Sequence, residues 1–335
     1  MDRRGRLQAW LEARWYGRAP IPGPLRLLSR LYACLIERRR RRLQRRAQPL
    51  PVPVVVVGNI SLGGAGKTPV VMALVETLRA AGWTPGVVSR GHGGRERGPA
   101  LLPAEAEPER YGDEPALIAL RTGVPVAVGR DRPATARHLL ARHPQVDVLV
   151  CDDGLQHYRL HRDVEVVVVD GRRRFGNALL LPAGPLREPV SRLQEADVVL
   201  VNGPREGESG FTLAPGEALA LDGSGARPLA SFARHKVHAV AGIGDPARFF
   251  ATLEAAGIIV VPHAFADHHD FRPADLAFRD GLPVLMTEKD AVKCRRFAQP
   301  GWYAVPVTAR LPADAIATIL RRIDSTRQAR ASAAH

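Results

Sequence analysis

Four consecutive valines at residues 54–57 run straight into GNISLGGAGKTP at residues 58–69, and this junction constrains the fold more than any other part of the chain. An unbroken β-branched run suits a parallel strand buried on both faces. A glycine-rich turn directly after it, with Gly66-Lys67-Thr68 opening a helix, is the sequence form of a phosphate-binding loop. In such a loop the glycines let successive backbone N–H groups point at phosphate oxygens. The lysine reaches the β- and γ-phosphates, and the hydroxyl that follows holds Mg²⁺. Lys67 and Thr68 occupy those two positions, and Ser61, Leu62, Gly63, Gly64, Ala65 and Gly66 complete the expected nucleotide cradle. The usual GxxxxGK[ST] spacing asks for glycine at position 61, where this chain has Ser61; Gly63 and Gly64 supply the freedom of the turn.

Beyond the loop the pattern of strand, turn and helix repeats. A helix is predicted over residues 67–81, and apolar runs follow at 84–89, 124–128, 146–151, 164–170 and 197–201, with helix-compatible segments at 116–121 and 134–142. This alternation predicts an α/β fold of the P-loop NTPase type, a mostly parallel sheet flanked by helices. Over residues 203–225 the composition turns to Gly, Glu, Ser and Pro without periodicity, so the connection between domains is placed there. The expected organisation is an N-terminal amphipathic and basic segment at 1–48, a P-loop domain at 49–225 and a smaller α/β domain at 226–335. The last of these contains VHAVAGIG, PARFFATLEAAG, IIVVPHAF, PVLMTEKDA and an amphipathic helix near 313–322. A chain of 335 residues, 45% apolar, is long enough to fill two such cores.

The first 48 residues carry their own signal. Their apolar stretches are interrupted by Arg14, Arg18, Arg26 and Arg30 with no small-residue cleavage site, so no exported precursor is expected. Leu28, Leu31, Tyr32 and Leu35 recur at helical spacing in a stripe too short to span a bilayer. RRRRRLQRR at 38–46 concentrates much of a formal net charge of +14, with Trp10, Trp15 and Tyr16 nearby as candidate interfacial aromatics. Two readings stay open: a helix lying on an anionic membrane surface, or an amphipathic helix packed on the domain beside a solvated arginine run. Cys34, Cys151 and Cys294 are too few and too scattered for a disulfide framework or a zinc site.

A phosphate-binding loop needs an acid to hold its metal, and VDVLVCDDG ends a mostly apolar stretch on Asp152 and Asp153. At the carboxyl end of a strand these acids face the crevice where open α/β sheets bind ligands. Gln156 and His157 follow closely enough to reach the same crevice, or else only fix the turn. Arg187, followed by Glu188, offers a planar fork for a substrate phosphate or a structural salt bridge. Asp113, before Glu114-Pro115, has the chemistry of a helix N-cap. His268 and His269 in a polar loop read, on their own, as solvated. Residues 172–174, all arginine, read as a solvated basic loop, and Gly242 with Gly244 as a tight strand-to-helix turn.

GNISLGGAGKTP, YGDEP, VCDDGLQHYRL, FGNALLLPAGPLREP and FADHHDF occur in this order between residues 53 and 293. With them the chain resembles the tetraacyldisaccharide 4'-kinase (lipid A 4'-kinase) family, which also carries Ser or Thr where the ordinary loop has its first glycine. The resemblance implies transfer of the ATP γ-phosphoryl group to the 4'-hydroxyl of a tetraacylated glucosamine disaccharide 1-phosphate, a lipid A precursor, with Mg²⁺ required. It implies Asp113 as catalytic base, His268 as the residue that orients and tunes it, and Lys67, Thr68, Asp152 and Asp153 around the nucleotide and metal. The second domain would then contribute to catalysis and its closure would gate it. Gln156, His157 and Arg187 are the expected substrate-side residues. The implied location is the cytoplasmic face of the bacterial inner membrane, with an anionic membrane surface as partner, no nucleic acid and no obligate protein partner. Two rival readings are a non-catalytic P-loop nucleotide switch and a P-loop kinase for a soluble sugar or nucleoside.

Overall fold

The computed structural model describes residues 3–333; residues 1, 2, 334 and 335, the outer ends of the first and last expected segments, lie outside the described residues. Two helices open the chain, α1 (Arg3–Trp15) and α2 (Gly23–Gln44). The large lobe follows with β1 (Val54–Gly58), α3 (Lys67–Ala80), β2 (Pro85–Ser89), β3 (Ala100–Leu101), α4 (Pro108–Tyr111) and α5 (Asp113–Thr122). It continues through β4 (Val126–Val128), α6 (Arg132–Arg142), β5 (Val148–Cys151), β6 (Val164–Asp170), β7 (Val198–Asn202) and β8 (Gly210–Pro215). The small lobe holds β9 (Ala218–Ala220), β10 (Ala226–Arg227), β11 (Lys236–Ala241), α7 (Pro246–Ala255), β12 (Ile259–Ala264), β13 (Val284–Thr287), α8 (Glu288–Cys294) and β14 (Trp302–Val305). The chain ends with β15 (Val307–Arg310) and α9 (Ala313–Ala333).

Nine strands form the first sheet in the order β15-β8-β7-β6-β1-β5-β2-β4-β3, parallel from β8 through β4 and antiparallel at both edges. The second sheet runs β10-β9-β14-β13-β11-β12, parallel from β14 to β12. The α/β architecture expected from the alternating pattern is therefore present in both lobes. At the centre of the large sheet the valine run divides by alternation. Val55 and Val57 face a core with Val70, Leu74 and Leu78 of α3 and Ile118 of α5, whereas Val54 and Val56 face Ala136 and Leu139 of α6. Burial on both faces is why this strand is uninterrupted valine rather than alternating.

Sheet membership differs from the division expected near residue 225. β9, beginning at Ala218, already belongs to the small sheet, and after β14 the chain returns to pair β15 with β8 in the large one. α9 follows it home, placing Ala315, Ile319 and Ile323 in the same core as α3. The segment read as aperiodic over residues 203–225 holds two short strands, β8 and β9, each second from the edge of its sheet, and each takes one partner, β15 and β14 respectively, from far along the chain.

The N-terminal helices dock in an unusual sense. Ser29 Oγ donates to Leu180 O at 2.8 Å, Tyr32 Oη donates to Arg187 O at 3.1 Å, and Arg40 pairs with Glu195, so one stripe of α2 is fastened to the large lobe. Leu27, Leu28, Leu31 and Leu35 are left on the outside at 50–64% exposure. Of the three aromatics grouped as interfacial, only Trp10 is exposed. Trp15 is buried with its indole N–H donating to Pro182 O at 3.1 Å, and Tyr16 lines a pocket at the phosphate loop. Among the described residues no helix is long and apolar enough to cross a membrane.

Candidate active site

The loop after β1 is held in shape by buried amides. Asn59 Nδ2 donates to Gly63 O at 3.3 Å, and Asn202 at the end of β7 donates to Ala65 O at 3.1 Å. Gly66, the residue before α3, has φ +90°, and a Cβ there would fall 2.6 Å from Asn202 Nδ2, so glycine is required on both conformational and steric grounds. The loop's first half pairs with the PLREP segment: Leu62 N–H donates to Pro185 O at 2.8 Å and Arg187 N–H to Ile60 O at 2.7 Å. Ser61, Leu62, Gly63, Gly64 and Ala65 line a small pocket with Tyr16, Asp170 and Arg173. Thr68 is the second residue of α3.

Lys67 reaches across this loop, its Nζ lying 3.2 Å from Asn59 Oδ1 and 3.3 Å from Asp153 Oδ1. The strand-end carboxylates and the phosphate loop thus face one another. Burial pulls the Asp153 carboxyl upward, but the charges of Lys67 and Arg187 more than offset it and hold the group below the ordinary carboxylate value. Arg187 stands 3.8 Å from Asp153 and donates to Gln156 Oε1 at 3.3 Å. Gln156 in turn donates to Asn59 O at 3.0 Å and to Glu188 Oε1 at 2.7 Å, so loop, acid pair and PLREP segment form one network. Burial, with Arg132 and Arg90 nearby, pushes His157 down to about 3, which keeps it a neutral hydrogen-bonding ring.

Asp152 provides the test for a metal. It is 1% exposed, Ser89 Oγ donates to its Oδ2 at 3.2 Å, and its Oδ1 has no hydrogen-bond partner among the described residues. Burial first, then the charges of Glu114 and Asp153, raise its carboxyl to about 7. A buried carboxylate oxygen without a donor beside a second carboxylate is costly unless a cation meets it, and the pair fits a hard divalent ion. This carboxyl is raised from 3.8, so its own contribution to metal-free stability is fullest below about pH 4 and declines as pH rises toward about 7. Replacing Asp152 with Asn removes that decline. In thermal unfolding without metal, the Tm advantage of Asp152→Asn over the wild type should be larger at about pH 8 than at about pH 5. An advantage that stays level across that range contradicts the burial argument.

On the other wall, Asp113 is 8% exposed and does not cap its helix: α5 begins at Asp113 itself, Gly112 precedes it, and no side-chain cap bond is made. The N-cap expectation is therefore replaced by a different contact. Asp113 Oδ2 lies 3.1 Å from His268 Nδ1, and Lys293 Nζ of the small lobe stands 3.6 Å away. Burial favours the neutral acid, yet the His268 bond and the charges of Lys293 and Lys289 hold the Asp113 carboxyl below its ordinary value. His269, by contrast, turns to Asp275 at 3.1 Å, which separates the two adjacent histidines. The Asp113 pair and the acid pair are linked through Glu114, which meets Lys289 at 3.3 Å and raises Asp152.

The small lobe also touches the phosphate loop. A Cβ on Gly244 would come within 3.3 Å of Gly64 N, and Asp290 Oδ2 accepts from Gly242 N–H at 2.8 Å to hold that turn. Of the three arginines expected to be solvated, Arg172 is exposed and meets Asp245 at 3.2 Å, while Arg173 and Arg174 are half-buried against Gly244 O at 3.3 Å and against Glu208. Sequence reasoning missed Asn59, Asn202, Lys289 and Lys293. For the lysines a signal existed, since Lys289 and Lys293 stand at i, i+4 on a helix that opens after the strand over residues 284–287.

A parallel sheet whose first strand feeds a phosphate loop, with the loop lysine against a strand-end acid and a carboxylate–histidine pair joining the two lobes, defines a P-loop phosphotransferase. Comparison with known proteins narrows this class. Residues 23–324 match the family described as Tetraacyldisaccharide-1-P 4'-kinase. A Tetraacyldisaccharide 4'-kinase of Stenotrophomonas maltophilia is 53% identical over 328 residues, covering 93% of this chain and 96% of that one. One from Xanthomonas axonopodis pv. citri is 51% identical over 328 residues, covering 92% and 94%. Among solved structures, the "apo" form of LpxK from Aquifex aeolicus in complex with ATP superposes with a TM-score of 0.73 at 29% identity, covering 88% of this chain and 97% of that one. The chain belongs to the tetraacyldisaccharide-1-P 4'-kinase family.

Proposed function

We propose that the protein transfers the γ-phosphoryl group of ATP to the 4'-hydroxyl of a tetraacyldisaccharide 1-phosphate, with Asp113 as the base. The observation that carries this reading is the Asp113–His268 contact at 3.1 Å: a buried carboxylate, held ionised and freed from helix capping, is available to take a proton from an acceptor hydroxyl. The amides of residues 61–68 and the Lys67 ammonium hold the β- and γ-phosphates, so the donor is fixed while the acceptor approaches. Mg²⁺, which Thr68, Asp152 and Asp153 would hold, supplies neutralisation of phosphate charge when bound. Arg187, aligned by Gln156, offers its fork to a phosphate on the substrate side, and His157 offers a neutral ring. A non-catalytic switch leaves the Asp113–His268 pair without a task.

The acceptor's acyl chains remain in a bilayer, and the outward leucines of α2 supply the matching surface. Because α2 is fastened through Ser29, Tyr32 and Arg40, its apolar stripe faces away from the lobe, with Arg38, Arg39, Arg41 and Arg42 exposed beside it. This combination fits a monotopic attachment to anionic headgroups at the cytoplasmic face of the inner membrane, where ATP is available. Removing residues 1–46 is a poor probe of this, since it also removes Trp15 and Tyr16 from the large lobe. Leu28, Leu31 and Leu35 changed together to Ser are cleaner. Each leucine contributes roughly 1.5 kcal/mol or more when fully buried. With half of that realised, binding to vesicles containing anionic phospholipid should weaken on the order of tenfold to a hundredfold. Unchanged vesicle binding refutes the attachment.

The decisive experiment is incubation with γ-labelled ATP and the lipid acceptor, followed by mass analysis. The expected product has gained one phosphoryl group at the distal glucosamine. Phosphorylation of a soluble sugar or nucleoside in preference to the lipid overturns the assignment.

A further inference from the structure

Lys289 occupies a position that none of the roles above uses. Its Nζ lies 3.2 Å from His268 Nε2, 3.1 Å from Asp267 Oδ1 and 3.3 Å from Glu114 Oε1, three neighbours for three N–H bonds. We propose that Lys289 is a positioning residue that fixes His268 as the neutral tautomer protonated on Nδ1, so that the ring donates to Asp113 and keeps Nε2 free of a proton.

The assignment follows from donor chemistry. An ammonium group has hydrogens to give and no lone pair to receive with, so the ring nitrogen facing it must be the acceptor. In a neutral imidazole the other nitrogen then carries the proton, and that nitrogen, Nδ1, faces Asp113 Oδ2 at 3.1 Å. Burial disfavours the Lys289 charge, but Glu114, Asp267 and Asp113 together outweigh it and hold the ammonium above its ordinary value, so the donor persists. The backbone is arranged to suit: His268 sits at φ +60°, a conformation a histidine rarely adopts, and the edge of His92 packs on its ring at 5.1 Å.

The charge surrounding the ring explains why the lysine is needed. Asp113 and Glu114 come from α5, Asp267 adjoins the ring with Oδ1 3.9 Å from Nε2, Lys289 and Lys293 come from α8, and His92 comes from the loop after β2. Three carboxylates call for positive charge at this point. Lys289 supplies it; without Lys289 the same carboxylates draw a proton onto Nε2. A doubly protonated ring would hold Asp113 as an ion pair and weaken it as a base. The catalytic consequence rests on the Asp113 reading proposed above, while the tautomer itself rests on geometry alone.

Nitrogen-15 spectra of the full chain labelled at histidine, with His268 assigned by its absence in His268→Gln, report each ring nitrogen directly. At about pH 7.5 the wild type should show a proton on Nδ1 and none on Nε2. Lys289→Met should show both nitrogens protonated, a fall in kcat of about tenfold with KM for ATP unchanged, and an acid limb of the kcat profile moved to higher pH. Lys289→Arg, which also only donates, should restore the wild-type ring pattern and the pH profile. A wild-type ring protonated on Nε2, or a Lys289→Met ring indistinguishable from the wild type, overturns the proposal. Normal turnover in Asp113→Asn with the predicted ring pattern refutes the base reading and leaves the tautomer assignment standing.

Discussion

Changing Asp113 to Asn is expected to lower kcat by about a hundredfold to ten-thousandfold, the range over which a positioned base contributes. The substitution keeps the shape of a buried side chain, and it removes no helix cap, because Gly112 and not Asp113 precedes the first turn of α5. The fold should therefore be preserved, as circular dichroism will report, with the thermal midpoint lowered only by the loss of the carboxylate's charge beside His268 and Lys293. The KM for ATP should also be unchanged, since the Asp113 carboxylate contacts His268 and Lys293 and no residue of the phosphate loop. The sign with pH is fixed by the same contacts. The Asp113 carboxyl is held below its ordinary value, so its contribution to stability is present at neutral pH and is lost only as pH falls through that lowered value. A variant that turns over at the wild-type rate removes Asp113 from the chemistry.

Lys67→Ala is the second large effect. The Lys67 ammonium is poised between Asn59 and Asp153, beside the loop at residues 61–66 that we propose as the phosphate cradle. Its loss should cost about a hundredfold to a thousandfold or more in kcat, comparable to removal of a preorganised donor aimed at developing charge. ATP affinity should fall with it, measurable by calorimetry. A neighbouring effect separates this from simple misfolding. Asp153 is kept low against burial chiefly by Lys67, so the variant should take up a proton there at a higher pH than the wild type does. Retained turnover with unaltered ATP binding excludes Lys67 from the nucleotide site.

What the chain disclosed unaided was whatever its chemistry encodes over short stretches. The valine strand, the glycine turn, Lys67-Thr68 and the Asp152-Asp153 pair lie in contiguous runs whose physical logic is local, and each stands where the pattern placed it. Asp113 was different. Read by itself, Asp-Glu-Pro signals a cap, and only a histidine arriving from 155 positions away turns the carboxylate to another task. The orientation of α2 was likewise ambiguous, because a helix with an apolar stripe ordinarily buries it; here Ser29, Tyr32 and Arg40 fasten the opposite side. β8 escaped notice because Gly210 and Pro215 bound a short run on whose pairing with β15 local patterning is silent. Lys289 and Lys293 carried only their spacing, and their significance depends on a partner lobe.

The return of β15 and α9 to the large sheet has a consequence for how this enzyme is built. The chain crosses between lobes at two adjacent places, residues 215–218 and 305–307, where Gly216 N–H donates to Pro306 O at 2.8 Å. The small lobe is thus an insertion carried on a paired ribbon, not a bead at the end of a string. Severing the chain near residue 225 yields a front piece that lacks an outer strand and the helix bearing Ile319 and Ile323, so it is not an autonomous folding unit. Evolutionary exchange or laboratory grafting of the small lobe must therefore preserve both ends of the graft together.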